Sequence, residues 1–129
     1  MNNLQMNGLD ARAIQVDATA SGANTALTVT MPAVVGYINV LLGYDISGTG
    51  ATAASTISVV STGLAVNLAH QLAVPAGAST AAATPSWHVR PPVGRPASAS
   101  NTAVSVTVPA FGTGNLGATI NLYGYRVPG

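Results

Sequence analysis

The stretch Leu64-Ala65-Val66-Asn67-Leu68-Ala69-His70-Gln71-Leu72-Ala73-Val74 carries Leu64, Val66, Leu68, His70, Leu72 and Val74 at every second position. Period two fits a strand with one covered face and does not fit the 3.6 repeat of a helix. The same alternation recurs on either side. Leu27, Val29 and Met31 interleave with Thr28 and Thr30; Val104, Val106 and Val108 interleave with Ser105 and Thr107. Near the end, Ile120 and Leu122 take one face, and Tyr123, Tyr125 and Val127 take the other. The run 36–46 is apolar on both faces, as a central strand covered on both sides would be.

Turn signals separate these runs: Ser21-Gly22-Ala23-Asn24, Ser47-Gly48-Thr49-Gly50, Ser61-Thr62-Gly63 and Pro75-Ala76-Gly77. The resulting expectation is strands over 12–19, 26–31, 36–46, 55–61, 64–74, 86–90, 102–108 and 118–127. About eight short strands at this spacing predict an all-β, antiparallel two-sheet sandwich. The count is that of a jelly roll, with a seven-stranded immunoglobulin-like sandwich as the alternative. Residues 1–11 are expected to be a flexible arm, and 12–129 a single β-sandwich domain.

Charge is scarce. Of 129 residues, 5% are Asp, Glu, Lys or Arg, against about 25% in a typical domain. The whole set is Asp10, Asp17, Asp45, Arg12, Arg90, Arg95 and Arg126. A net charge of +1 supplies no field to hold nucleic acid or an anionic membrane, so neither is an expected partner. A surface this neutral also gives weak protection against association. It predicts a chain largely covered by copies of itself, as a homodimer or homotrimer, or by another protein. The start, Met1 to Gly8, has neither the basic nor the apolar region of a secretory signal.

The same scarcity limits chemistry. Two His, three Asp and no Cys or Glu leave no metal-ligand spacing, and no cofactor is expected. His70 lies in phase with Leu68 and Leu72, so it is expected to pack inside with a hydrogen-bonded ring. Gly48-Thr49-Gly50-Ala51-Thr52-Ala53 and Gly112-Thr113-Gly114-Asn115-Leu116-Gly117 fit nucleotide fingerprints. That motif needs a helix to follow, whereas strand-like runs follow both. No G-x-S-x-G elbow is present, and no enzyme activity is expected.

Contact residues are more legible. The segment from Trp87 to Pro96 holds the single Trp, Arg90, Arg95 and three prolines. Trp and Arg are frequent interface anchors, and proline preorganises a loop. Tyr123 and Tyr125 share a face and could form a small sugar platform. Tyr37 and Tyr44, seven apart in one strand, are expected on opposite faces. The expected interaction residues are therefore Trp87, Arg90, Arg95, Tyr123 and Tyr125.

Several low-complexity runs occur in a suggestive order: 48–55, Val74-Pro75-Ala76-Gly77, 97–103, 108–115 and Tyr123-Gly124-Tyr125. Over roughly 35–127 this order resembles small virion structural proteins encoded beside the head genes of tailed bacteriophages. The resemblance implies a capsid decoration or cement protein. Such a protein would bind the major capsid protein, reinforce the shell through repeated contacts, lie on the capsid surface and be made in the host cytoplasm. The alternative is a tail-associated or host-recognition β-module that binds surface glycans.

Overall fold

A computed structural model describes residues 12–77 and 86–129. The expected arm at 1–11 lies outside the described residues. Nine strands follow in order: β1 (Ile14–Gly22), β2 (Leu27–Met31), β3 (Tyr37–Gly48), β4 (Ser55–Thr62), β5 (Ala69–Val74), β6 (Ser86–Val89), β7 (Arg95–Pro96), β8 (Val104–Val108) and β9 (Ala118–Pro128). They form two antiparallel sheets. The first has the order β1-β9-β3-β6, with the two-residue β7 also on β3; the second has the order β2-β8-β4-β5. Among the described residues no helix is long and apolar enough to cross a membrane.

The alternation read from the sequence decides which face each strand buries. Leu27, Val29 and Met31 of β2 meet Val104, Val106 and Val108 of β8 in register and point inward. Ile57 and Val59 of β4, and Leu72 and Val74 of β5, extend this layer. Val16, Leu41, Tyr44, Ile46, Ile120 and Leu122 cover it from the first sheet. Each such side chain contributes about 1.5–3 kcal/mol on burial. Gly124 faces the same core, where a methyl group would lie 2.6 Å from the Met31 Cε; its absence lets the sheets close at that point.

Three expectations need correction. The strand expected over 64–74 begins only at Ala69. Before it the chain turns tightly: Asn67 Oδ1 accepts the Leu64 amide at 3.0 Å, and Ser61 Oγ accepts the Leu68 amide at 2.7 Å. Val66 is consequently exposed, although Leu64 is buried against the core. At the other end of the fold, β1 continues through Ser21 and Gly22, because both pair with β9. Finally, a bulge between Leu41 and Gly43 shifts the register of β3, so Tyr37 and Tyr44 stand opposite Pro128 and Leu122 of β9. Those positions are six apart, so the two tyrosines share a side. Tyr44 is buried and Tyr37 half-buried.

The first glycine fingerprint starts at the last residue of β3 and runs into the loop after it, and the second lies in the loop after β8. The first leads to β4 and the second to β9, with Gly112 and Gly114 at positive φ. Asn115 ties these loops together. Its Nδ2 donates to the Thr49 and Gly50 carbonyls at 2.7 and 3.2 Å, and its Oδ1 accepts the Asn24 amide at 3.0 Å.

The two outer faces differ. On the second sheet the outward positions are Thr28, Thr30, Ser105, Thr107, Thr56, Ser58, Val60, Thr62, Ala69, Gln71 and Ala73. None is ionisable. Thr28 bonds Thr107 at 3.2 Å, Thr30 bonds Ser105 at 2.9 Å and Gln71 bonds Ser58 at 3.2 Å. Every charged residue among those described lies on, or next to, a strand of the first sheet: Arg12, Asp17, Asp45, Arg90, Arg95 and Arg126.

Candidate functional site

The polar outer face of the first sheet gathers side chains from four neighbouring strands. The register sets Asp17 beside Tyr123, Tyr123 beside Gly43, and Asp45 beside His88. Arg90 follows β6 directly and folds back across β3. Its Nη2 lies 2.8 Å from Asp45 Oδ1 and 3.0 Å from Oδ2, and its Nη1 donates to the Tyr44 carbonyl at 3.2 Å. The guanidinium carbon also stands 4.9 Å from the centre of the Tyr123 ring. Such a contact contributes about 0.5–1 kcal/mol at an exposed site.

Asp45 is the hub. Partial burial pushes its carboxyl up, but hydrogen bonds from Arg90, His88 and Tyr123 and the Arg90 charge outweigh burial and hold it below its ordinary value. Tyr123 moves the other way, because its hydroxyl donates to the Asp45 carboxylate.

Three of these groups line up as a hydroxyl, an imidazole and a carboxylate. His88 Nδ1 lies 2.9 Å from Asp45 Oδ1, and Nε2 lies 3.3 Å from Ser86 Oγ. That is the atom order of a nucleophile relay, and no sequence motif marks it. Two features distinguish it from a buried relay. Arg90 already compensates the carboxylate that would stabilise an imidazolium. The His88 side chain is 66% exposed, so water competes at both nitrogens. The arrangement is better suited to pinning the edge strand β6 onto β3.

The expected interaction residues divide between two places. Arg90 and Tyr123 belong to this network. Tyr125 lies on the same face, where its hydroxyl would be 3.6 Å from a methyl group at Gly94. Arg95 pairs with Leu41 through β7 and lines a cleft of 340 Å³ with His70, His88 and Arg90. Trp87 points the other way. It is half-buried and packs edge-on against Phe111, with ring centres 6.0 Å apart. It also lines an open groove of 620 Å³ between β4, β5 and β6, together with Thr56, Val74 and Pro75. Trp87 and Arg90 therefore do not form one contact surface, because odd and even positions of β6 face opposite sides of the sheet.

His70 points inward, and its Nδ1 lies 2.7 Å from the Tyr44 hydroxyl. Asp45, His88, Ser86 and Asp17 were missed as a group by sequence reasoning. Their sole signal was outward parity within their strands. Among the described residues no cluster of three or more His, Cys, Asp or Glu could hold a metal ion.

No family model, curated protein or solved structure matches this chain. This corrects the resemblance drawn from the sequence. The terms virion, capsid and bacteriophage rested on short runs of Ala, Thr, Ser and Gly, and no relative supports them. They are withdrawn. Runs of this composition recur wherever small residues fill turns between strands.

Proposed function

We propose that this chain is a structural component of a larger protein assembly. It acts as a rigid, non-catalytic sandwich, held by repeated contacts with copies of itself, as a dimer or trimer, or with a neighbouring subunit. One observation carries this reading: among the described residues the outer face of the second sheet has no ionisable group, while the charged residues gather at the first. The cores of protein interfaces are depleted of charge in the same way. Stripping water from this face leaves no charge unpaired, and its hydroxyls already bond one another through Thr28–Thr107 and Thr30–Ser105. Many such contacts, each weak, add up through avidity.

We infer further that the sandwich is a jelly roll. Its two sheets, β1-β9-β3-β6 and β2-β8-β4-β5, place β1 with β2, β3 with β4, β6 with β5 and β9 with β8 at matching positions in their orders. Rolling up an antiparallel ribbon gives this arrangement, so the order supports a jelly roll over the seven-stranded alternative.

Sedimentation velocity over a range of concentrations tests the role. Wild-type protein should associate as its concentration rises, and Thr30→Lys with Thr107→Lys should abolish that association while the folded spectrum persists. A wild-type chain that stays monomeric, and is never retained by a candidate partner subunit, would sink the proposal.

A further inference from the structure

The outer face of the first sheet holds a second feature, on the β1 side of Tyr123. A shallow depression of 410 Å³ is lined by Asp17 and Thr19 of β1 and by Asn121 and Tyr123 of β9. The register places Asp17 directly beside Tyr123, and Thr19 beside Asn121, so the four side chains frame one patch. Ala18 and Leu122 complete its lining.

Its chemistry is mixed in a specific way. Asp17 Oδ2 accepts the Gln15 Nε2 at 2.7 Å, and the carboxylate retains lone pairs for further donors. Asn121 offers both a donor and an acceptor, and Thr19 offers a hydroxyl. Tyr123 supplies an aromatic wall that is already fixed. Arg90 stands over its ring at 4.9 Å and is itself held by Asp45 at 2.8 Å. A wall held in place by the protein costs little to order when a ligand arrives.

We propose that this depression binds one ring of a neutral, hydroxyl-rich sugar. Asp17 accepts from adjacent hydroxyls, Asn121 and Thr19 bond a third, and the apolar face of the sugar ring lies against Tyr123. Charge selects this class. Asp17 is the one acidic residue lining the patch among the described residues, so it repels phosphates and acidic sugars. A cationic ligand is opposed by the like charge of Arg90, which stands over the same ring at 4.9 Å. The proposal is independent of the assembly role, which rests on the opposite sheet.

The test is a proton–nitrogen NMR titration of the full chain with D-glucose, D-galactose, D-mannose and N-acetyl-D-glucosamine, each to about 50 mM, a range that covers millimolar binding. At least one sugar should give saturable shifts centred on Thr19, Asn121 and Tyr123. Asp17→Asn, on an exposed position, should weaken binding about tenfold through loss of a charge-assisted hydrogen bond. Val66→Ala, on an exposed turn away from both outer faces, should leave it unchanged. The proposal fails if none of the four sugars saturates, if the shifts centre elsewhere, or if Asp17→Asn binds like wild type. It also fails if tetramethylammonium chloride produces the same saturable shifts.

Discussion

Gly43 leaves open the space that Arg90 occupies: a methyl group on Gly43 would lie 2.9 Å from both Cδ and Nη1 of Arg90 and would overlap the carbonyl oxygen of Val89. The missing side chain lets the guanidinium cross β3 to reach Asp45 and Tyr123. Gly43→Ala should therefore push β6 away and break the network. The expected loss is about 1–3 kcal/mol, the usual cost of overpacking, read as a lower urea midpoint. Adding Arg90→Ala should not restore stability, because the Val89 carbonyl remains in the way.

The Asp45 network sets an acid limit. The folded carboxyl has a pKa below its unfolded value. Its stabilising effect is therefore complete above the ordinary carboxylate range, near pH 4. It disappears as pH falls through the folded value. Asp45→Asn should flatten the acid limb of a stability-versus-pH curve measured by urea unfolding. At neutral pH it should cost only about 1 kcal/mol, since Arg90 and His88 are both well exposed. A variant with an unchanged acid limb would show that Asp45 does not couple to folding.

Asn115 is buried, and its amide joins three loops at one end of the sandwich. Removing the side chain leaves the Thr49 carbonyl and the Asn24 amide without their partner, and leaves the Gly50 carbonyl with only the Thr49 hydroxyl at 3.4 Å. Buried groups left unpaired cost about 1–3 kcal/mol each before relaxation. Asn115→Ala is expected to lower stability by about 3 kcal/mol in total. Hydrogen exchange should rise first at the Asn24 amide and at the Leu116 amide, which donates to the Thr49 hydroxyl that Asn115 also bonds. Unchanged exchange at those amides would rule out the tie.

The two-sheet architecture was legible because its strands bury one face, and burial writes a period of two into the sequence at Leu27–Met31 and Val104–Val108. The start of β5 was not. Val66 continues the alternation by residue type, yet the Asn67 and Ser61 side chains bond backbone amides and hold a turn there. The network around Asp45 was also hidden. Asp45 and Arg90 are 45 residues apart, and only pairing with β6 joins them. Trp87 was expected in one contact segment with Arg90. Strand parity turns it inward onto Phe111.

At the opposite end of the pH scale, Tyr44 sets an alkaline limit. Its ring is buried, its hydroxyl bonds His70 Nδ1 at 2.7 Å, and burial pushes its pKa up from 10.0 to about 12. Burial disfavours the phenolate, so the folded pKa lies above the unfolded one. Below the unfolded value this contribution is fully present, and it is lost as pH rises through the folded value. Unfolding should become easier between about pH 10 and pH 12. Tyr44→Phe removes the ionisable group and should flatten that limb. At neutral pH it should cost about 1 kcal/mol, because the His70 nitrogen loses its partner. Phenolate absorbance measured alongside the unfolding signal decides the matter. If all four tyrosines ionise near their ordinary value while the protein stays folded, Tyr44 is not protected from ionisation in the folded protein.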